Sequence, residues 1–552
     1  MKLAADFPAP ELDDALISRP QWLRRVLLWR PHGTTALQAA SLIVVLVVLL
    51  PVAYLLLRAL SGGEEALDYL LRERTLTVIG NSVVLMLAVV ASAALIGVPF
   101  AWLTTRTDLP LRRVWLVLGL LTMVIPSYLA SVTYLEALGS HGMVQSLLAP
   151  LTGGAALPDM RGFFGAWLVI TLMAYPYVVL PVRAALLNSD PAFEEVGRSL
   201  GLGRWQIFWR VTLPQLRPAL ASGMLLAALY TLSDFGAVAV MRYNAFTRAI
   251  FLQTSAFRLD RAAALALVLV LMMLILLVLE RRISSSVRNY RAGTGVKRQL
   301  KTVKLGRWRI PALIFSAGLV LLGSGVPIFV LLNWLITRER ISHPVGVNMS
   351  ELISNTVSLS MAAAVVVALA ALPLALLAVR SRSRIDRTMV AFAYTGNALP
   401  GIVIALALVY FASNYASGIY QTVPLLVLGY AICYLPLGIS ATRSTLTQIN
   451  PRLEEAGRSL GLSSLGVLRR IIVPLSWSGI VAGAALVFLS VMKELPITLI
   501  LQPIGLRTFA TRIWSLYEEA FLAYIGLPGL ILILTSALAL GIILWRNHHQ
   551  RT

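Results

Sequence analysis

Residues 191–219 read PAFEEVGRSLGLGRWQIFWRVTLPQLRPA, and residues 451–479 read PRLEEAGRSLGLSSLGVLRRIIVPLSWSG. Nine of the first thirteen positions are identical, at an offset of 260 residues. Pro191 or Pro451 opens a helix, where a missing N–H costs nothing. Glu194 and Glu195, like Glu454 and Glu455, fall in its first turn and complement the dipole. Gly201 and Gly461 can end it at positive φ. A second short helix follows, its Trp205, Phe208 and Trp209 recurring near helical spacing. Pro214 and Pro474 are expected to stop that helix before the next apolar run.

The apolar runs around these loops decide the class. The 552 residues are 58% apolar and only 13% charged, with mean hydropathy +0.80. Soluble domains carry roughly 25% charged residues. Stretches such as Leu37 to Leu57 and Ala262 to Leu279 are long enough to cross a bilayer as helices. The fold class is therefore an all-α polytopic membrane protein. A β-barrel would show short alternating segments instead. Spans are expected near 37–60, 76–104, 113–137, 163–187, 218–241 and 261–280, then 310–336, 355–379, 388–412, 424–442, 477–501 and 524–545.

These form two sets of six, and the sets are copies. Asn81, Pro99, Arg106, Arg113 and Pro126 match Asn355, Pro373, Arg380, Arg387 and Pro400 at an offset of 274. The change of offset falls around His141 to Arg161, a loop holding Gly153, Gly154 and Pro158. The expected organisation is an N-terminal segment 1–36, a first transmembrane domain 37–280, a basic linker 281–309, a second transmembrane domain 310–545 and a tail 546–552. Six spans per copy give both copies one orientation, with a pathway between them.

The net charge of +22 sits in alternate loops. Residues 281–309 hold ten Arg or Lys and no acid. Arg24, Arg25 and Arg30 precede the first span, and Arg380, Arg382, Arg384 and Arg387 form another group. Basic loops stay cytoplasmic, so both termini are expected there, with anionic lipid and not nucleic acid as the neighbour. Cys433 is the single cysteine, read as a small apolar residue. The histidines His32, His141, His343, His548 and His549 are scattered. With no HExxH or GxSxG, no catalytic residue and no metal set is assigned.

The repeated loop resembles the EAA motif of ABC-importer permeases, the segment that inserts into a cleft on the ATPase. Glu195-Val196-Gly197, Gly201 and Val211-Thr212-Leu213-Pro214 follow its spacing, as do Glu455-Ala456-Gly457, Gly461 and Ile471-Ile472-Val473-Pro474. The resemblance covers nearly the whole chain. It implies a fused, two-copy permease of the type I importer fold in a bacterial inner membrane. It assigns ATPase coupling to Glu194, Glu195, Gly197, Gly201, Pro214, Glu454, Glu455, Gly457, Gly461 and Pro474. No phosphate-binding GxxxxGK[ST] occurs, and none of the five lysines follows a glycine. ATP and magnesium are therefore expected on separate subunits, two copies of an ABC ATPase, with a periplasmic binding protein capturing the cargo.

Within the family the chain looks most like ferric-iron permeases, through Leu232-Ser233-Asp234-Phe235-Gly236, Val491-Met492-Lys493-Glu494-Leu495-Pro496 and the set Arg507, Thr508, Thr511, Arg512 and Trp514. Thiamine, phosphonate and polyamine are the alternative cargoes. An ion-gradient-driven secondary transporter is the reading from another class. Intramembrane charge is costly and marks function by default. Asp234, Lys493, Glu494 and, near the end of the third span, Glu136 are the candidate pathway residues. Lys493 and Glu494 could instead neutralise one another. Carboxylate oxygen suits a hard cation. Pro126 and Pro400 are expected to kink the third span of each half.

Overall fold

A computed structural model describes residues 34–61, 63–140, 142–152, 159–189, 191–285, 302–338, 348–381 and 383–549. His32, His141, His343, Arg382, the Gly153–Pro158 stretch and most of the linker lie outside the described residues. The described residues are helical apart from turns and one isolated bridge, Thr107 to Val303. Nine helices are long and apolar enough to cross a membrane, or up to eleven if each of two bent pairs is one span. The expected count of twelve is therefore not reached among the described residues. The last apolar helix, Gly526–His549, ends the described chain.

Each half is built on three helices that pack on one another. In the first these are Glu73–Arg106, Phe163–Asn188 and Leu213–Ser233; in the second, Met349–Arg380, Val423–Leu446 and Val473–Met492. Small residues bring the backbones together, as membrane helices require. A Cβ on Gly223 would lie 2.8 Å from the Val178 Cα, and one on the equivalent Gly483 would lie 3.3 Å from the Gly438 Cα. The helix prolines Pro99, Pro176, Pro181, Pro373 and Pro436 are tolerated because neighbouring helices shield the freed carbonyls.

The first span of each half crosses to the other half. Thr34–Ser61 packs on Met349–Arg380, Arg384–Ala393 and Gly401–Tyr415. Its Gln38 amide donates to the buried Asp386 carboxylate at 2.9 Å. The seventh span, Gly306–Thr337, packs on the third span of the first half. There the Tyr134 hydroxyl donates to the Leu322 carbonyl, and Gly323 admits Thr122, whose methyl would be 2.6 Å from a Cβ.

The third span of each half is broken, not kinked. Arg112–Val124 and the helix beginning at Ser127 meet at 102°, and so do Arg384–Gly396 and Gly401–Tyr415. Pro126 and Pro400 stand at the break with extended backbone, as N-caps of Ser127–Leu138 and Gly401–Tyr415. Proline biases the residue before it away from helical backbone. Ile125 and Leu399 accordingly leave the helix, at ψ 122° and 113°.

Replacing Gly223 by leucine forces side-chain volume against the Val178 backbone. Overpacking of this kind costs ~1–3 kcal/mol, so the thermal unfolding midpoint in detergent should fall. Gly318→Leu, where nothing lies within 4 Å, should leave it unchanged.

Candidate functional site

The two repeated loops fold alike from the same residues. Pro191–Ser199 and Arg452–Ser459 are the acidic helices. Both end in the same double hydrogen bond. Leu202 N–H reaches the Gly197 carbonyl at 3.1 Å and Gly201 N–H the Arg198 carbonyl at 3.0 Å. In the second copy Leu462 reaches Gly457 at 3.1 Å and Gly461 reaches Arg458 at 2.9 Å. This is the glycine-dependent helix stop in which one residue is left-handed. Gly201 has φ 78° and Gly461 φ 86°. Gly197 and Gly457 are small for a different reason, because the following helix lies on them. A Cβ would meet Ile207 at 3.3 Å and Ile471 at 2.5 Å.

The glutamates divide into two roles. Glu194 forms an ion pair with Arg106, at the end of the second span, and a longer one with Arg198 at 3.5 Å. Arg106 is 4% exposed and its backbone carbonyl also accepts from Val303 N–H, at the end of the linker, at 2.8 Å. In the second copy Arg380 Nε lies 2.8 Å from Glu454, and its Nη2 donates to the Ile449 carbonyl at 3.0 Å. Arg458 completes the group at 3.9 Å. Charge-assisted bonds of this kind are the strong ones. Glu194 and Glu454 therefore clamp each loop to its own second span. Glu455 is exposed and Glu195 half-buried.

Pro214 and Pro474 do not stop the second helix, contrary to expectation. Arg204–Ile207 continues through a π turn at Phe208–Thr212 into Leu213–Ser233. Ser464–Val467 continues likewise through Leu468–Ile472 into Val473–Met492. In the wide turn Leu213 N–H bonds the Phe208 carbonyl, and Val473 N–H the Leu468 carbonyl. One extra residue per turn makes room for a proline ring that would otherwise strike the preceding turn. The second short helix of each repeated loop is thereby one helix with its fifth span.

At the far end of that helix stand the pathway candidates. Leu213–Ser233 ends at Asp234, and Val473–Met492 ends before Lys493 and Glu494, so the eleventh span does not run to 501. Asp234, 7% exposed, accepts from Ala237 N–H at 2.8 Å, and Ser127 lies beside it. Glu494 accepts from Ile497 N–H at 3.1 Å and from the Tyr434 hydroxyl at 2.7 Å. Gly401 replaces Ser127 in the second half, and a Cβ there would lie 2.8 Å from the Glu494 carboxylate. The longer acid is matched by the smaller neighbour. The two carboxylates are close enough for their charges to interact.

Lys493 is not in ion-pair contact with Glu494. Its ammonium donates to the Met123 carbonyl of the other half at 2.7 Å, at the turn preceding the Pro126 break. Glu136 is half-buried, beside Trp334 of the seventh span. Further cross-half contacts lie beyond this level. Phe235 and Trp514 rings are 5.4 Å apart, and the Tyr517 hydroxyl donates to the Val240 carbonyl at 3.2 Å. No group of three His, Cys, Asp or Glu that could hold a metal occurs among the described residues.

The model of the family described as binding-protein-dependent transport system inner membrane component matches residues 93–289 and again 371–547. An Fe(3+)-transport system permease protein of Haemophilus influenzae is 32% identical over 496 residues, 89% of this chain and 94% of that protein. A sulfate transport system permease protein of Escherichia coli is 30% identical over 251 residues, 44% of this chain and 88% of that protein. A probable molybdenum ABC transporter permease protein of Haloferax volcanii is 33% identical over 215 residues, 39% of this chain and 75% of that protein.

The clamp makes a direct forecast. Glu454→Gln weakens a charged hydrogen bond worth ~1.5–3 kcal/mol, and amide hydrogen exchange in Arg452–Ser459 should quicken more than tenfold. Glu455→Gln should leave that exchange rate near its original value.

Proposed function

The chain belongs to the family of binding-protein-dependent transport system inner membrane components, and from that premise we propose that it carries ferric iron in an ATP-driven ABC importer. The observation that carries the cargo is the likeness to an Fe(3+)-transport permease over 89% of the chain; the sulfate and molybdenum relatives each cover less than half of it. Two coupling loops call for two ATPase subunits, which hold ATP and magnesium. A binding protein docks at the opposite end of the bundle. The basic linker and both termini lie with the coupling loops in the cytoplasm.

The mechanism follows from the continuous helices. ATP-driven closure of the ATPase pair draws the two loops together. The clamps Arg106–Glu194 and Arg380–Glu454 make each loop move with its second span, and the π-turn helices carry the motion into the fifth and eleventh spans. Those helices end at Asp234 and Glu494, so the acid pair lies where the halves must part. Carboxylate oxygen on both sides offers a hard cation transient ligands. Their existing bonds to backbone N–H groups and Tyr434 keep that site weak enough to release cargo. A ligand shifts such a cycle only through its different affinity for the two states.

Two measurements test this reading. The double variant Gly201→Val and Gly461→Val places β-branched residues at φ near +80°, each costing ~1–2 kcal/mol. It should insert in the membrane yet lose ATPase subunits on co-purification. Wild-type retention and wild-type hydrolysis would refute coupling through these loops. Radioactive ferric-iron uptake should fall at least fivefold in Asp234→Asn with Glu494→Gln while the complex stays assembled. Unchanged uptake would remove the acid pair from the pathway, and sulfate or molybdate uptake without iron uptake would reassign the cargo.

A further inference from the structure

A groove of about 390 Å³ lies between the first span and the second half, lined by Leu50, Ala53, Leu57, Arg58, Tyr54 and Tyr410, with Phe411, Tyr415 and Ser61 at its edge. Its volume is within the range of small-ligand sites, ~300–1,000 Å³. Thr34–Ser61, Leu259–Ser285 and Gly401–Tyr415 each have an end here, away from the coupling loops. The lining from Leu50 to Ser61 covers three turns, about 16 Å along the axis. That is about half of a ~30 Å hydrocarbon core, the depth of one leaflet.

The lining is graded along that depth. Leu50 lies at the deep end, and the exposed Ala53 and Leu57 carry the apolar wall up toward the mouth. One turn above Leu50 stands Tyr54, 5% exposed, stacked on Tyr410 at 4.6 Å. Its hydroxyl is buried without a hydrogen-bond partner, an expensive state for a polar group unless something else satisfies it. One further turn up is Arg58, over the Tyr410 ring at 5.2 Å. Arg58 Nε lies 2.6 Å from Asp260, but its N–H is not aligned for a hydrogen bond. The mouth thus pairs a partly exposed cation with a carboxylate that is more than half exposed.

We propose that this groove binds one zwitterionic phospholipid from the leaflet at that end, of the phosphatidylethanolamine type. Its acyl chain lies along Leu50, Ala53 and Leu57. A glycerol ester carbonyl accepts from the Tyr54 hydroxyl. Its phosphate meets Arg58 and its ammonium meets Asp260. The lipid fills the seam where the first span of one half crosses to the other, and aromatic side chains at this depth suit the bilayer interface. An anionic headgroup would satisfy Arg58 but face Asp260.

Native mass spectrometry of the full chain, purified from bilayers of phosphatidylethanolamine and phosphatidylglycerol, tests the site. One phosphatidylethanolamine should survive delipidation that strips the annular lipid. Ala53→Phe, which fills the groove, should lower its retention at least tenfold, and Tyr54→Phe, which removes only the hydroxyl, about threefold. Asp260→Asn should shift the preference toward phosphatidylglycerol. A monodisperse size-exclusion peak for each variant keeps loss of lipid separate from loss of fold. Equal retention by wild type and Ala53→Phe would overturn the site, and a wild-type preference for phosphatidylglycerol would overturn the assigned headgroup.

Discussion

No backbone group inside a bilayer can turn to water, so every break in a spanning helix must find its partners within the protein. This constraint organises both halves. Where the fifth span stops, the Asp234 carboxylate takes the Ala237 N–H; where the eleventh stops, Glu494 takes that of Ile497. The next helices begin under the same rule. Phe246 N–H donates to the Ser82 hydroxyl and Phe509 N–H to that of Thr356, both at about 3 Å. Asn81 and Asn355 donate to the carbonyls of Asn244 and Arg507 just before those starts. The residues that make interrupted helices tolerable are thus the ones that tie the second span to the far end of the fifth. Charge at the break serves the backbone first, and any cargo must borrow it.

The halves are copies that have stopped being identical at the place where they meet. Ser233 of the first half corresponds to Lys493 of the second, and only the lysine reaches across, to Met123. Ser127 and Gly401 differ in step with Asp234 and Glu494. The linker end lies beside Thr107 in the first half, while the equivalent loop in the second half holds Asp386 against Gln38 and Ser381. Fusion into one chain allows such one-sided adjustments, because each half always meets the same partner.

Legibility in the sequence followed the range of the interaction. The repeated loops could be read because glycine spacing and the helix stop are local; Gly201 and Gly461 adopt the positive φ that their position implied. Arg106 and Arg380 stood out as matched repeat positions, yet their glutamates are 88 and 74 residues away. Nothing in composition says which distant acid an arginine meets. Hydropathy read straight through the breaks at Pro126, Pro400 and Lys493, because apolar residues continue on both sides. Proline announced a disturbance there without its angle. At Pro214 and Pro474 it announced a stop, and the wide turn absorbed it. The crossing of the first spans leaves no trace in an apolar pattern, since lipid and a neighbouring helix solicit the same side chains.

The π turns carry a record as well as a shape. A π turn is a helix holding one residue more than its register needs, and such a bulge arises most simply by insertion of a single codon. Phe208–Thr212 and Leu468–Ile472 occupy the same register in the two copies, each one residue before the paired leucine or valine that leads into proline. Two independent insertions at one register are far less economical than one. One half already carrying the wide turn, once duplicated, leaves this shared register, with the short helix after the glycine stop continuous with the fifth span in both copies.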